Sequence, residues 1–282
     1  MERIKDFENW LIRLGYAETT IKSYTRLLEN FFNYLEIACG GSPPNQQRIE
    51  QFNKHLHQSK VSRSYISAHI NIINRYSEFL ELTTKEKLTV GKILVEREIT
   101  TERTIFTQSE MKLLFSSIEG NTPQGLFDKA LLSIYYGCGL RSKEGINLVP
   151  QEVDFNKGLL YVKPSKNYSS RYVPISQGVL AAIKDYMNYA RSIINPNSKY
   201  LLVGKQQPKV NGHYLNTRLK KLQEKAGITK NASLHSLRHS IATHLLQQGM
   251  ELEYIGSFLG HKRLDSTQVY VRINEELMYN KH

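Results

Sequence analysis

Residues 158–175 read GLLYVKPSKNYSSRYVPI, the one clear β interruption in a chain whose other periodic segments are helical. Two short runs, Leu159 to Val162 and Arg171 to Val173, are rich in β-branched and aromatic residues and flank a loop of Pro, Ser and Asn. Val and Tyr suit a pleated strand and Pro164 and Asn167 break one, so the pattern predicts a small antiparallel hairpin. The fold class expected is therefore mainly α with a small antiparallel β hairpin or sheet.

Working outward, TQSEMKLLFSSI carries the capping-box spacing Thr107-x-x-Glu110 and starts a second helical unit, and beyond the hairpin helices resume and run to the end. Near the N-terminus Phe7, Trp10, Leu11 and Leu14 recur at helical spacing before Gly15 stops the run. Ile21, Tyr24, Leu27, Leu28, Phe31, Phe32 and Leu35 then form one apolar face, with Thr19 as its N-cap. CGGSPPN breaks that helix, and two more helical stretches complete a four-helix unit whose aromatic residues are expected in its core. From Thr83 to Thr104 the apolar pattern thins and charges dominate. The predicted layout is a helical domain over 1–98, a linker over 99–104 and a mixed, mostly helical domain over 105–282.

The chain has 282 residues, room for two domains that each bury a core, and its 38 Lys and Arg against 26 Asp and Glu give a formal charge of +12. That excess favours a polyanionic partner, nucleic acid ahead of a membrane surface. No apolar run approaches the roughly 20 residues of a membrane span, and the charged N-terminus MERIKDFENWLIRLGY lacks a signal-peptide core. A cytoplasmic, nucleoid-associated protein without membrane contact is expected. Cys39 and Cys138 show no partner pattern and fit a reducing compartment as buried or half-buried thiols.

Two histidines four apart, His235 and His239 in LHSLRHSIATHLL, share a helical face and raise the question of a metal site. A zinc-protease helix carries Glu beside the first histidine. Here Ser236 stands there, and Arg238 would set a permanent positive charge against the cation. His235 and Arg238, three apart, instead offer an imidazole and a guanidinium fork to one anion, a phosphate above all. The bland alternative for this pair alone is a polar helix face, with His239 a packing or surface residue. In YYGCGLRSKEGINL, Glu144 follows Arg141 by one turn, where it can orient a neighbouring cation. In FLGHKRLDSTQVYVR, His261 follows a Gly260 helix stop, and Tyr270 comes nine positions later, after the capping candidates Asp265 and Ser266. Singly each is ambiguous; Tyr270 is one of 17 tyrosines.

Taken together and in order, GLRxxE, a hairpin lysine, HxLRH, LGH and a tyrosine nine residues after that last histidine resemble the tyrosine recombinase (phage integrase) family over nearly the whole chain. GYAETTIKSYTRLLENFFNYL is also similar to that family's DNA core-binding domain. The resemblance implies Arg141, Lys166, His235, Arg238 and His261 as catalytic residues, Tyr270 as nucleophile and Glu144 as the acidic companion of Arg141. Counting back from RYVPI, Lys166 matches the family's catalytic lysine, while Lys163 falls where the strand ends. A tyrosine phenol holds the phosphate covalently, arginine forks and histidine donors take up the charge that metal ions otherwise carry, and a lysine protonates the departing 5′-oxygen. No cofactor and no metal are expected. The implied partner is a double-stranded DNA recombination site, bound by a homo-tetramer spanning two sites, with a monomer in free solution. Thr19, Thr20, Lys22, Arg63, Lys163 and Arg171 are the candidate DNA contacts.

A type IB topoisomerase, which rejoins the original strand, and a catalytically silent DNA-binding regulator built on a helix-turn-helix around Gly249 are the competing readings. The complete catalytic set and the LGH motif favour a recombinase, Xer-like or from a mobile element. Two departures stand out: Gly145 replaces an apolar helix residue, and the tail VRINEELMYNKH is short for docking on a neighbouring subunit. No arm-binding domain precedes the core-binding helices in this reading.

Overall fold

A computed structural model describes residues 2–85, 88, 104–120, 122–164, 169–205 and 207–260. The chain divides into two compact units, Met1–Thr101 and Glu102–His282. Among the described residues no helix is long and apolar enough to cross a membrane.

Among its described residues the first unit holds four helices, α1 (Glu2–Arg13), α2 (Glu18–Cys39), α3 (Gln46–Gln58) and α4 (Arg63–Thr84). Asn45 and Ser62 cap α3 and α4 by accepting from the backbone N–H of Arg48 and Tyr65, satisfying donors that a helix start otherwise leaves open. Thr19 does not cap α2: Ala17 takes that position, its carbonyl already accepting from Thr20 and Ile21. The apolar faces converge on Phe7, Leu28, Phe31, Ile49, Ile73 and Tyr76, all fully buried. Phe7 packs edge-on against Tyr76 and Phe79 at 5.5 Å between ring centroids, so these aromatics are core as expected.

The second unit begins at α5 (Gln108–Ser116), where Thr107 and Glu110 form the anticipated reciprocal cap. Helix α6 (Pro123–Leu132) runs into a π-helical turn, Ser133–Gly137, and α7 (Ser142–Asn147) follows directly after Arg141. A three-stranded antiparallel sheet comes next, in the order β1 (Val153–Asp154), β2 (Leu159–Val162), β3 (Arg171–Pro174). The hairpin strands lie where the sequence puts them, with Leu160 opposite Val173 and Val162 opposite Arg171; β1 is an addition. Leu160, Val162 and Val173 face the core, whereas Tyr161 and Tyr172 pair on the outer face at 5.1 Å.

Helices α8 (Gln177–Tyr186), α9 (Ser192–Ile194), α10 (Gly212–Lys225), α11 (Leu234–Gln247) and α12 (Leu252–Leu259) follow. The expected unbroken helical run is interrupted over 195–211, which has no helix or strand among its described residues. That segment still enters the core. Leu201, Leu202 and Val203 are fully buried, and its backbone bonds elsewhere, Leu201 N–H to Leu148 O (2.7 Å) and Val203 N–H to Tyr186 Oη (3.2 Å).

Gly145 has a plain packing reason. A Cβ built there would lie 2.5 Å from Cζ and Oη of Tyr135, whose hydroxyl donates to Ser142 O at 3.0 Å. The tyrosine from the π turn occupies the volume that an apolar residue at 145 would fill.

Candidate active site

Arg141 caps α7, and Glu144, one turn on, bonds back to it twice: Arg141 N–H to Oε2 at 2.8 Å and Nη1 to Oε1 at 3.0 Å. The same carboxylate takes a second, two-pronged contact from Arg171 of β3, Nη1 to Oε1 at 2.9 Å and Nη2 to Oε2 at 3.0 Å. Arg238 of α11 stands 3.9 Å away. Three guanidinium groups thus surround one carboxylate and leave the cluster net positive.

The same three arginines close the end of α12, whose last carbonyls have no helical partners. Arg171 Nε donates to Phe258 O (2.9 Å), Arg238 Nη2 to Leu259 O (2.8 Å) and Arg141 Nη2 to Gly260 O (3.4 Å). Cations are also favoured there by the helix dipole. Arg238 Nη1 further donates to Gly139 O at 2.6 Å. Gly139 and Gly260 both sit at positive φ, +58° and +68°. A Cβ at Gly139 would meet Phe258 at 2.8 Å, and one at Gly260 would meet Nη1 of Arg171 at 2.8 Å, so both glycines permit the close approach as well as the turn.

A cavity of about 470 Å³ opens beside this cluster, lined by Arg141, Lys143, Glu144, Lys163 and His235 among others. His235 projects into it from the first turn of α11 and is exposed. Its ring stacks against His239, with centroids 6.4 Å apart. Arg238 is buried, 3% exposed, and is not part of the cavity wall. His235 reaches the cavity, while Arg238, on the same helix, lies buried 3.9 Å from Glu144. Lys163 pairs with the buried Glu152 at 2.7 Å. The Arg171 side chain is 8% exposed and bonded to Glu144 and Phe258. Thr19, Thr20, Lys22 and Arg63 lie in the opening turns of α2 and α4, with Lys22 paired to Glu18. Lys166, His261 and Tyr270 lie outside the described residues. Among the described residues no group of three or more His, Cys, Asp or Glu could hold a metal ion.

Burial pushes the Glu144 carboxyl up, but the hydrogen bonds and charge of Arg171, then those of Arg141, outweigh it and bring the group from 4.5 to about 2. Its folded-state value is depressed, so the ionised network stabilises the unit above about pH 4.5, and that stabilisation is lost as pH falls toward 2. The shift corresponds to on the order of 3 kcal/mol. Glu144→Gln should therefore melt below the wild type at neutral pH, and the gap should narrow as pH drops from 4.5 to 2.5. A gap that stays constant across that range would show that folding does not shift the Glu144 carboxyl.

Residues 104–276 match the family described as "Phage integrase family", which covers more than half of the chain. The chain belongs to that family, the tyrosine recombinases. It is 31% identical to tyrosine recombinase XerA of Pyrococcus horikoshii over 96% of this chain and 88% of the relative. It is 29% identical to tyrosine recombinase XerC of Oceanobacillus iheyensis, over 91% and 86%. In fold it is similar to XerH site-specific recombinase bound to palindromic difH substrate (TM-score 0.77, 17% identity, 93% of this chain and 78% of that one). It is likewise similar to the Tn1549 transposon integrase in complex with a circular intermediate DNA (TM-score 0.76, 16% identity, 95% and 94%).

Proposed function

We propose that this site-specific recombinase cleaves duplex DNA through Tyr270, forming a 3′-phosphotyrosyl link and freeing a 5′-hydroxyl, and rejoins the strand to a new partner. The observation that carries the reading is the gathering of Arg141, Glu144 and His235 at one cavity, with the buried Arg238 3.9 Å from Glu144, in a chain of this family. In-line attack concentrates negative charge on the non-bridging phosphate oxygens, and fixed guanidinium groups in a partly buried site stabilise it without reorganising. Arg141 reaches the phosphate from the cavity wall, and Arg238 adds its field from beneath. Positive charge also favours ionisation of the phenol, whose ordinary pKa is about 10. His235 and His261 donate to the phosphate, and Lys166 protonates the 5′-oxygen as it leaves. No metal or cofactor is assigned a step.

In this reading residues 1–98 form the DNA core-binding domain, 99–104 the linker and 105–282 the catalytic domain. Each binds a cytoplasmic duplex through phosphate contacts whose affinity falls steeply with salt. The strand-exchanging form is a tetramer on two sites. The DNA-bound states named for XerH and the Tn1549 integrase support a double-stranded recombination site as the substrate. The test is incubation with nicked, site-containing duplexes followed by denaturing electrophoresis. A covalent protein–DNA adduct with exchanged product is expected. No adduct on a verified site would overturn the reading, and relaxation of supercoiled plasmid without exchange would mark a topoisomerase.

A further inference from the structure

The geometry assigns Arg171 to positioning: it holds the β hairpin in register with the phosphate-binding cluster, so that the hairpin lysine meets the leaving oxygen. The assignment rests on the reaction proposed above. Arg171 is the first residue of β3 and pairs with Val162, the last of β2, so it sits where the two strands end, on either side of the stretch of sequence that carries Lys163 and Lys166. Strand alternation turns its side chain inward with Val173, and 8% of it is exposed. From there it reaches both oxygens of Glu144 (2.9 and 3.0 Å) and Phe258 O (2.9 Å), one contact for each of its three nitrogens. Gly260 packs against the guanidinium so closely that a Cβ there would come within 2.8 Å of Nη1.

A loop lysine acting as general acid needs placement to within a fraction of an ångström, and a displacement of 1 Å can cost about 100-fold. Two four-residue strands supply little of that accuracy by themselves. The described hairpin residues obtain it from Arg171, which ties the base of the loop to the carboxylate that aligns Arg141. The tie acts in one direction. Arg141 keeps its own two bonds to Glu144 if Arg171 is lost, so the phosphate-binding arginine stays in place while the hairpin is released. The defect should therefore fall on leaving-group protonation and spare phosphate binding.

The experiment uses the full chain, a nicked cognate duplex, and the same duplex with sulfur replacing the bridging 5′-oxygen at the scissile phosphate. A thiolate departs without a proton donor, so the second substrate bypasses the lysine. Arg171→Lys keeps the charge and loses the fork, and Arg171→Ala removes both. On the oxygen substrate the single-turnover rate constant for adduct formation should fall roughly 10- to 100-fold. On the sulfur substrate it should fall less than about threefold, with Kd for the site also within about threefold. A merely structural role would lower the active fraction and leave the rate constant unchanged, which overturns the assignment. Equal losses on both substrates, or a loss carried by Kd, overturn it too. Absence of any adduct from the wild-type chain is a separate outcome that fails the reaction itself and the assignment with it.

Discussion

In Tyr270→Phe the covalent protein–DNA adduct should vanish and strand cleavage fall by about 10⁴-fold or more, because no other group in the proposed site can hold the phosphate through a bond that is later reversed. Phenylalanine keeps the ring and its apolar surface, so affinity for the site should change by less than about threefold. The chain has 17 tyrosines, and the control must be an exposed one. Tyr254 on α12, 66% exposed, is suitable, and Tyr254→Phe should retain the adduct. Denaturing electrophoresis with end-labelled DNA reads both variants. An adduct that persists in Tyr270→Phe would place the nucleophile elsewhere and sink the assignment.

Arg238→Ala should lose both activity and stability, and the second loss is the more informative. The guanidinium is 3% exposed and donates to the carbonyls of Gly139 and Leu259, both buried residues. Leaving buried acceptors unpaired costs about 1–3 kcal/mol each, so a loss of roughly 2–6 kcal/mol is expected. For a unit of this size that lowers the melting temperature by roughly 5–15 °C. Cleavage should fall at least about 10³-fold even below the melt, as the positive field under the cavity is removed. Calorimetry at neutral pH checks the first effect. An unchanged melting temperature would show that Arg238 does not brace α12.

Much of this was legible in the sequence, and the misses have physical causes. The hairpin strands could be placed because Leu, Tyr and Val alternate between core and outer face over four residues, whereas the two-residue β1 has no period to read. Thr107 announced its helix through a reciprocal cap with Glu110. Thr19 did not, because the chain had already closed a turn onto the carbonyl of Ala17. Over 195–211 the apolar run at Leu201–Val203 is core, yet its ordering comes from distant carbonyl and hydroxyl partners that local patterning cannot anticipate.

In the site, the i, i+3 rule correctly paired Arg141 with Glu144. The same rule, applied to His235 and Arg238, gave their shared helix but not their depths. Depth is decided by what packs over each residue, here the approach of α12 against Gly139. Arg171 shares the parity of Val173 and Ile175, which is why its side chain turns to the inward face.

Tyr135 and Gly145 share a single volume, and this makes them one heritable unit. A mutation that enlarges residue 145 is harmful while Tyr135 remains, and a mutation that shrinks Tyr135 leaves a void until 145 grows, so neither position can drift alone. Chimeras with relatives should respect that bond: the segment from Ser133 to Asn147 transfers whole, and a junction placed between the two residues joins halves from incompatible lineages.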